Sequence, residues 1–228
     1  MIPDSIDHVT TDWLSEVMQT QIKSLEFIQI GQGVGIMGDI FRVELEHDDI
    51  GTPKSVVVKL PSASKENRDQ GVLLGMFEAE VRFYRELAQQ VPAGLPHIHL
   101  AEIESGTPNF IIVMQDLHSL AMVRQSEGVD LQQALMAADV LAIIHAIWWD
   151  RVDIQELLWI PDMIGPRIEF VDRLLLQILE PFCDAFAEHL PKKGQELLKA
   201  FAGNYLDINK ILAKRSPWTL AHQDFRIE

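Results

Sequence analysis

The chain has 228 residues, a mass of 25.9 kDa and a formal net charge of −15. Hydrophobic residues make up 47% and charged residues 23% of the chain, which indicates a folded globular protein and excludes a disordered one. The negative charge disfavours binding to nucleic acid and to anionic membrane surfaces, and no apolar run reaches the roughly 18 residues that a membrane span needs. The single cysteine, Cys183, excludes an internal disulfide framework, and the N-terminus shows no secretory signal, so we expect a cytoplasmic location.

The first part of the chain predicts an antiparallel meander. Short β-like runs cover Ser24–Ile30, Ile40–Glu46 and Ser55–Leu60, and turn residues separate them. The connections are too short for parallel crossovers. A helix is predicted over Gln70–Gln90, with Phe77 at the centre of its apolar face.

The rest of the chain changes from strands to helices. Two more strands are predicted at Leu100–Glu104 and Asn109–Met114, followed by helices over Leu131–Trp149, Arg167–Leu190 and Gly194–Arg215. This order predicts an α+β fold with two lobes and a boundary near residues 114–118. The N-terminal lobe would span residues 1–114, and the helical lobe would span residues 115–228.

A glycine cluster lies between the first two predicted strands. The segment GQGVGIMG contains Gly31, Gly33 and Gly35, and glycine allows backbone amides to approach a phosphate closely. The position between antiparallel strands is typical of the phosphate-covering loop of kinase-like folds, whereas a dinucleotide fingerprint lies between a strand and a helix. A plain hairpin with a flexible tip is the alternative.

A lysine and a glutamate are candidates for a functional ion pair. Lys59 follows three valines in the third strand, where alternation places it on the face opposite Val58. Glu80 lies within the apolar arc of the following helix, so it could hold the lysine amine near nucleotide phosphates. In the alternative interpretation, Lys59 lies on an edge strand and points into water, and Glu80 lies on the margin of the helix.

Two further segments carry candidate functional groups. In IIVMQDL (111–117), the backbone after the strand could bind an adenine edge, or it could simply enter a turn in which Asp116 is a cap. The chain ends TLAHQDFRIE, in which Asp224 is placed to orient and deprotonate an attacking hydroxyl.

Together these segments resemble the aminoglycoside phosphotransferase/choline kinase-like superfamily, nearest its ecdysteroid kinase-like branch. The resemblance rests on the glycine loop and on VVVKLP, FEAEVRFYREL, IIVMQDL, LAIIHAIWW and LAHQDFRIE, which occur in this order. It implies a two-lobed protein-kinase-like fold and an ATP-dependent kinase that phosphorylates a hydroxyl of a small molecule. An unrelated α+β protein with chance matches is the competing interpretation.

The resemblance also implies residue roles. Gly31, Gly33 and Gly35 would cover the ATP phosphates, and Lys59 would contact them while paired with Glu80. Asp224 would be the catalytic base in a loop supported by His222. The adenine would bind the backbone of four residues: Met114, Gln115, Asp116 and Leu117.

The resemblance carries departures and open questions as well. Gln223 stands where the family often has glycine, and the Mg²⁺ ligands of the family are expected beyond residue 228. We therefore expect a truncated chain that is inactive as it stands, with a non-catalytic nucleotide-binding or interaction module as the alternative. The acceptor and the oligomeric state are left open.

Overall fold

The structure is a computed structural model that describes residues 2–31, 37–92, 94–120, 123, 127–160, 164–215 and 217–225. These residues form five strands: β1 (Ser24–Ile30), β2 (Gly38–Glu46), β3 (Ser55–Pro61), β4 (Ile98–Ile103) and β5 (Phe110–Gln115). Their α-helices are α1 (Thr11–Met18), α2 (Lys65–Leu73), α3 (Met76–Arg82), α4 (Leu131–Ile147), α5 (Pro166–Ala185), α6 (Lys192–Ala202) and α7 (Tyr205–Leu212). The predicted α+β class is confirmed.

The strands form one antiparallel sheet in the order β1-β2-β3-β5-β4. The first three strands are joined by short connections and lie side by side, as the meander predicted. β5 pairs with β3 and places β4 at the edge of the sheet, where the β4–β5 register shifts between Ile98 and Leu100. β3 is therefore the central strand, with β2 and β5 on either side of it.

Each face of the sheet carries its own apolar layer, because successive strand residues point to opposite faces. One layer contains Val43, Val56 and Val58, and it packs against Leu14 of α1. The other layer is covered by α3 and consists of Phe77, Val81, Ala101, Phe110 and Ile112. The sheet is thus enclosed between α1 and α3.

Helix α1 and the 3-10 turn Ile6–His8 before it were not predicted. Thr10 caps α1 by accepting a hydrogen bond from Trp13 N–H at 3.2 Å, and Leu14 is fully buried. The N-terminal segment therefore supplies one whole covering layer of the sheet.

The predicted helix over Gln70–Gln90 is interrupted. α2 ends at Leu73 and α3 begins at Met76, because Gly75 adopts a left-handed backbone with φ of 64°. A π turn over Phe83–Leu87 and a 3-10 turn over Ala88–Gln90 then follow α3. The apolar periodicity identified the region as helical, but it could not show the interruption.

The contacts of the described residues define two compact units. The first is drawn from Met1–Ile147 and His222–Glu228, and the second from Trp148–Ala221. The division between these units follows α4, and the lobe boundary expected near residues 114–118 stays a prediction.

The second unit contains α5, α6 and α7. The predicted helix over Gly194–Arg215 is divided into α6 and α7 at Gly203 and Asn204. Lys199 of α6 and Glu180 of α5 form an ion pair at 2.8 Å. No helix in the described ranges combines the length and the apolar character needed to cross a bilayer.

Candidate functional site

Lys59 lies on the α3 side of the sheet. Val58 belongs to the layer under α1, so strand alternation turns its neighbour Lys59 to the opposite face. There Lys59 is paired in register with Ile112 of β5 and Ile40 of β2. A lysine among apolar neighbours requires a partner for its charge.

Helix α3 supplies that partner. Phe77 and Val81 anchor the helix on the sheet, and the Phe77 ring stacks on Phe110 with a centroid distance of 4.7 Å. Glu80 follows Phe77 by three residues, so it lies on nearly the same side of α3 and faces the sheet. Ser105, in the β4–β5 turn, donates a hydrogen bond at 2.8 Å to Glu78 Oε1 and ties the helix to that turn.

The two side chains form a bidentate ion pair. Lys59 Nζ lies 2.7 Å from both Oε1 and Oε2 of Glu80. The lysine side chain is 23% exposed and the glutamate side chain 30% exposed, so the charges are shielded but reachable from solvent. The contact that the sequence predicted is present, and the role of the pair toward a nucleotide stays a prediction.

Tyr84 adds a neutral polar group beside this pair. Its ring packs on the α3 layer one turn after Glu80. Burial, and to a smaller extent the negative charge of Glu80, raise the pKa of Tyr84 to about 12. The phenol is therefore a protonated hydrogen-bond donor at neutral pH.

Asp116, the first residue after β5, has a role that sequence reasoning missed. Its side chain is only 4% exposed, and Oδ2 accepts hydrogen bonds from Arg42 Nε at 2.9 Å and Ser55 Oγ at 2.7 Å. Oδ1 accepts from His118 N–H at 3.0 Å, and the His118 ring lies 2.9 Å from Oδ2. From the sequence, Asp116 was interpreted as a backbone contact or a cap. Arg42 of β2, a possible charge partner, was the one signal in the sequence that could have indicated the ion pair.

The environment of Asp116 keeps its carboxyl ionised. Burial by itself raises the pKa of Asp116, but the hydrogen bonds from Ser55 and His118 and the charge of Arg42 outweigh burial and lower it below its usual value. The Asp116 carboxylate therefore links the middle of β2, the start of β3 and the end of β5.

We call residues 114–118 the connector. Gln115 N–H donates to His97 O at 2.8 Å, and Gln115 Oε1 accepts from His97 N–H at 3.1 Å. The carbonyl of Leu117 accepts from Leu120 N–H. Within the part of the chain that the structure describes, the N–H of Leu117 has no hydrogen-bond partner.

The terminal segment belongs to the same compact unit as the Lys59–Glu80 pair. His222 Nδ1 accepts a hydrogen bond from Asp224 N–H at 3.3 Å, which leaves the proton of a neutral imidazole on Nε2. Gln223 between them has a φ of 67°, the left-handed conformation that glycine adopts without cost. The backbone at Gln223 is thus one that glycine adopts readily, at the position where the resemblance implied a glycine.

The glycine loop is described only in part. Gly31 has a φ of 68° and is exposed, which fits a turn leaving β1. Gly33 and Gly35, the other two candidate phosphate-binding positions, lie outside the described residues. Across the described ranges, no three His, Cys, Asp or Glu side chains converge as a metal site.

Comparison with known proteins identifies the family. The model of the ecdysteroid kinase-like family matches residues 32–228, which include the Lys59–Glu80 pair, the connector and the His222–Asp224 segment. A comparison with curated proteins found no match. The α+β fold with its five-stranded antiparallel sheet is consistent with a kinase-like fold. The chain belongs to the ecdysteroid kinase-like family.

Proposed function

We propose that this protein is an ATP-dependent phosphotransferase that transfers the γ-phosphate to a hydroxyl group of a small molecule. The observation that carries the proposal is the bidentate contact of Lys59 with Glu80 at 2.7 Å. Family membership implies kinase-like phosphotransferase activity on small molecules. ATP, the hydroxyl acceptor and the residue roles below belong to the proposal.

The ion pair is suited to phosphate binding for electrostatic reasons. Glu80 of α3 holds the Lys59 amine in one place. The partial exposure of Lys59 leaves this ammonium group accessible to phosphate oxygens. A positioned cation stabilises the negative charge of the triphosphate and of the transferred phosphoryl group. The connector would contribute the Leu117 N–H to the adenine edge.

Asp224 is the proposed general base. Its carboxylate would accept the proton of the acceptor hydroxyl while the hydroxyl oxygen forms a bond to the γ-phosphorus and the bond to the β-phosphate oxygen breaks. The products are ADP and a phosphate ester. Mg²⁺, which kinase-like families generally use, neutralises phosphate charge when it is bound. The described residues do not form a complete site for it.

The test combines binding and turnover. Titration of the chain with Mg-ATP by calorimetry should show binding, and Lys59→Met should weaken it, because the variant removes the cation that meets the phosphates. Lys23→Met is the matched control, since Lys23 is half-exposed and pairs with Asp48 on the surface. Equal affinities of Lys59→Met and the wild-type chain would exclude Lys59 from the site.

Turnover is measured as ADP release with a panel of small alcohols, in a chain extended past residue 228 to include the expected Mg²⁺ ligands. Asp224→Asn should abolish transfer but retain Mg-ATP binding, because the amide cannot accept the proton. Transfer by Asp224→Asn at the wild-type rate would exclude Asp224 as the base. Nucleotide binding by the extended wild-type chain without transfer to any alcohol would favour a non-catalytic nucleotide-binding module.

A further inference from the structure

The side chain of Asp116 lies where three strands and the connector meet. Arg42 comes from β2, Ser55 begins β3, and Asp116 directly follows β5. The side chains of Arg42 and Ser55 converge on one carboxylate oxygen, Asp116 Oδ2, together with the ring of His118. A carboxylate this buried and this fully bonded has one preferred position.

The same carboxylate also fixes the backbone of the connector. Oδ1 accepts the N–H of His118, two residues further along, which closes a local turn across Leu117. On the other side, Gln115 is held to His97 by one backbone and one side-chain hydrogen bond. Leu117 is therefore held from both sides while its own N–H stays available among the described groups.

We propose that Asp116 is a positioning residue for the nucleotide base: it holds the connector so that the N–H of Leu117 is oriented toward the adenine. The inference rests on the proposed function, because it assumes that the connector meets the base of ATP. Asp116 acts through the backbone and does not itself touch the nucleotide. A change at Asp116 should therefore weaken binding of the adenine base only, because binding of the phosphates depends on Lys59.

This division of roles gives a readout that a purely structural role would not produce. Asp116→Asn keeps the size of the side chain but replaces one carboxylate oxygen by an NH₂ group. This donor then faces other donors, either those of Arg42 and Ser55 or the N–H of His118, and their hydrogen bonds are lost. We expect the dissociation constant for Mg-ATP to rise about tenfold, the effect of losing one hydrogen bond to a charged group. Binding of Mg-tripolyphosphate, which has no base, should not change.

Two more variants complete the experiment. Asp48→Asn makes the same substitution at an exposed carboxylate that pairs with Lys23, and it should change the binding of neither probe. Ser55→Ala removes one of the donors to Asp116 and should weaken Mg-ATP selectively, by a smaller factor. Ser55→Ala decides the question if Asp116→Asn does not fold.

The outcomes separate this inference from the proposed function. A wild-type chain that binds neither Mg-ATP nor Mg-tripolyphosphate overturns the proposed function and this inference with it. If the wild-type chain binds Mg-ATP and the variants bind it equally well, the inference fails and the proposed function stands. Parallel loss of both probes would assign Asp116 to general stability, which also overturns the inference.

Discussion

The packing of α2 on α3 leaves no room for a side chain at Gly71, and the variant Gly71→Ala tests this arrangement. Gly71 is buried in the last turn of α2, and a Cβ added there would lie 2.8 Å from Phe77 Cε1 and closer still to Cζ and Cε2. Carbon atoms in contact are ordinarily about 3.5–4.0 Å apart. The ring cannot retreat easily, because it stacks on Phe110, which is fully buried.

The expected loss of stability follows from two opposing effects. Overpacking of a core of this kind costs up to about 3 kcal/mol. Alanine regains about 1 kcal/mol over glycine in a helix interior. We therefore expect Gly71→Ala to lower the free energy of unfolding by about 2 kcal/mol, measured by urea unfolding followed by circular dichroism. Because Phe77 anchors the helix that carries Glu80, Mg-ATP affinity should fall as well.

Gly194→Ala is the matched control for this experiment. Gly194 is also helical, in α6, but a Cβ there would meet Leu190 Cδ1, the movable end of a side chain, at 3.2 Å. Its free energy of unfolding should stay the same or rise by up to about 1 kcal/mol. A Gly71→Ala chain as stable as the wild-type chain would show that α3 does not pack on α2 as described, and the position of Glu80 would lose its support.

Three further predictions address the covering helix, a titration and the terminal segment. Leu14→Ala should lower the free energy of unfolding by about 2–5 kcal/mol, because Leu14 is fully buried. Leu73 is exposed, so Leu73→Ala should change the free energy of unfolding by less than about 0.5 kcal/mol. Equal effects of the two variants in urea unfolding would show that α1 is not part of the core. Because the pKa of Tyr84 is raised to about 12 in the folded chain, the unfolded chain releases this proton first, so Tyr84 stabilises the fold at neutral pH and this stability is lost as pH rises from about 10 to 12. Tyrosinate absorbance of the wild-type chain and of Tyr84→Phe checks the titration, and an ordinary pKa would contradict it. Gln223→Gly should raise the free energy of unfolding by up to about 1 kcal/mol by relieving the left-handed backbone, while Gln223→Val should lower it; identical values for both variants would mean that the positive φ is not maintained.

The strands could be predicted closely from the sequence because alternation reports burial directly. β1 was predicted with its exact bounds, and β3 was predicted to within one residue, since its run of three β-branched valines favours a strand. The helices were harder, because an apolar period of 3.6 residues continues across a break. Gly75 and Gly203 each end or separate helices, and neither position disturbs the apolar period.

One part of the candidate site could be predicted from the sequence and another part could not. The pairing of Lys59 with Glu80 could be predicted because strand alternation and the helical wheel each fix one direction. The contacts of Asp116 could not, since they depend on which strands are neighbours. β5 lies beside β3 although β4 precedes it in the chain, and only this order brings Arg42 and Ser55 to Asp116.

The alternation along β3 makes the molecule sensitive to the number of residues in that strand. Val58 and Lys59 are neighbours in the chain but belong to opposite sides of the sheet. Deleting one residue between Ser55 and Val58 would shift the pairing by one position, which would direct the Lys59 ammonium group at Leu14 and leave Glu80 facing Leu60. Evolution can therefore exchange the side chains of this strand far more readily than it can change its length.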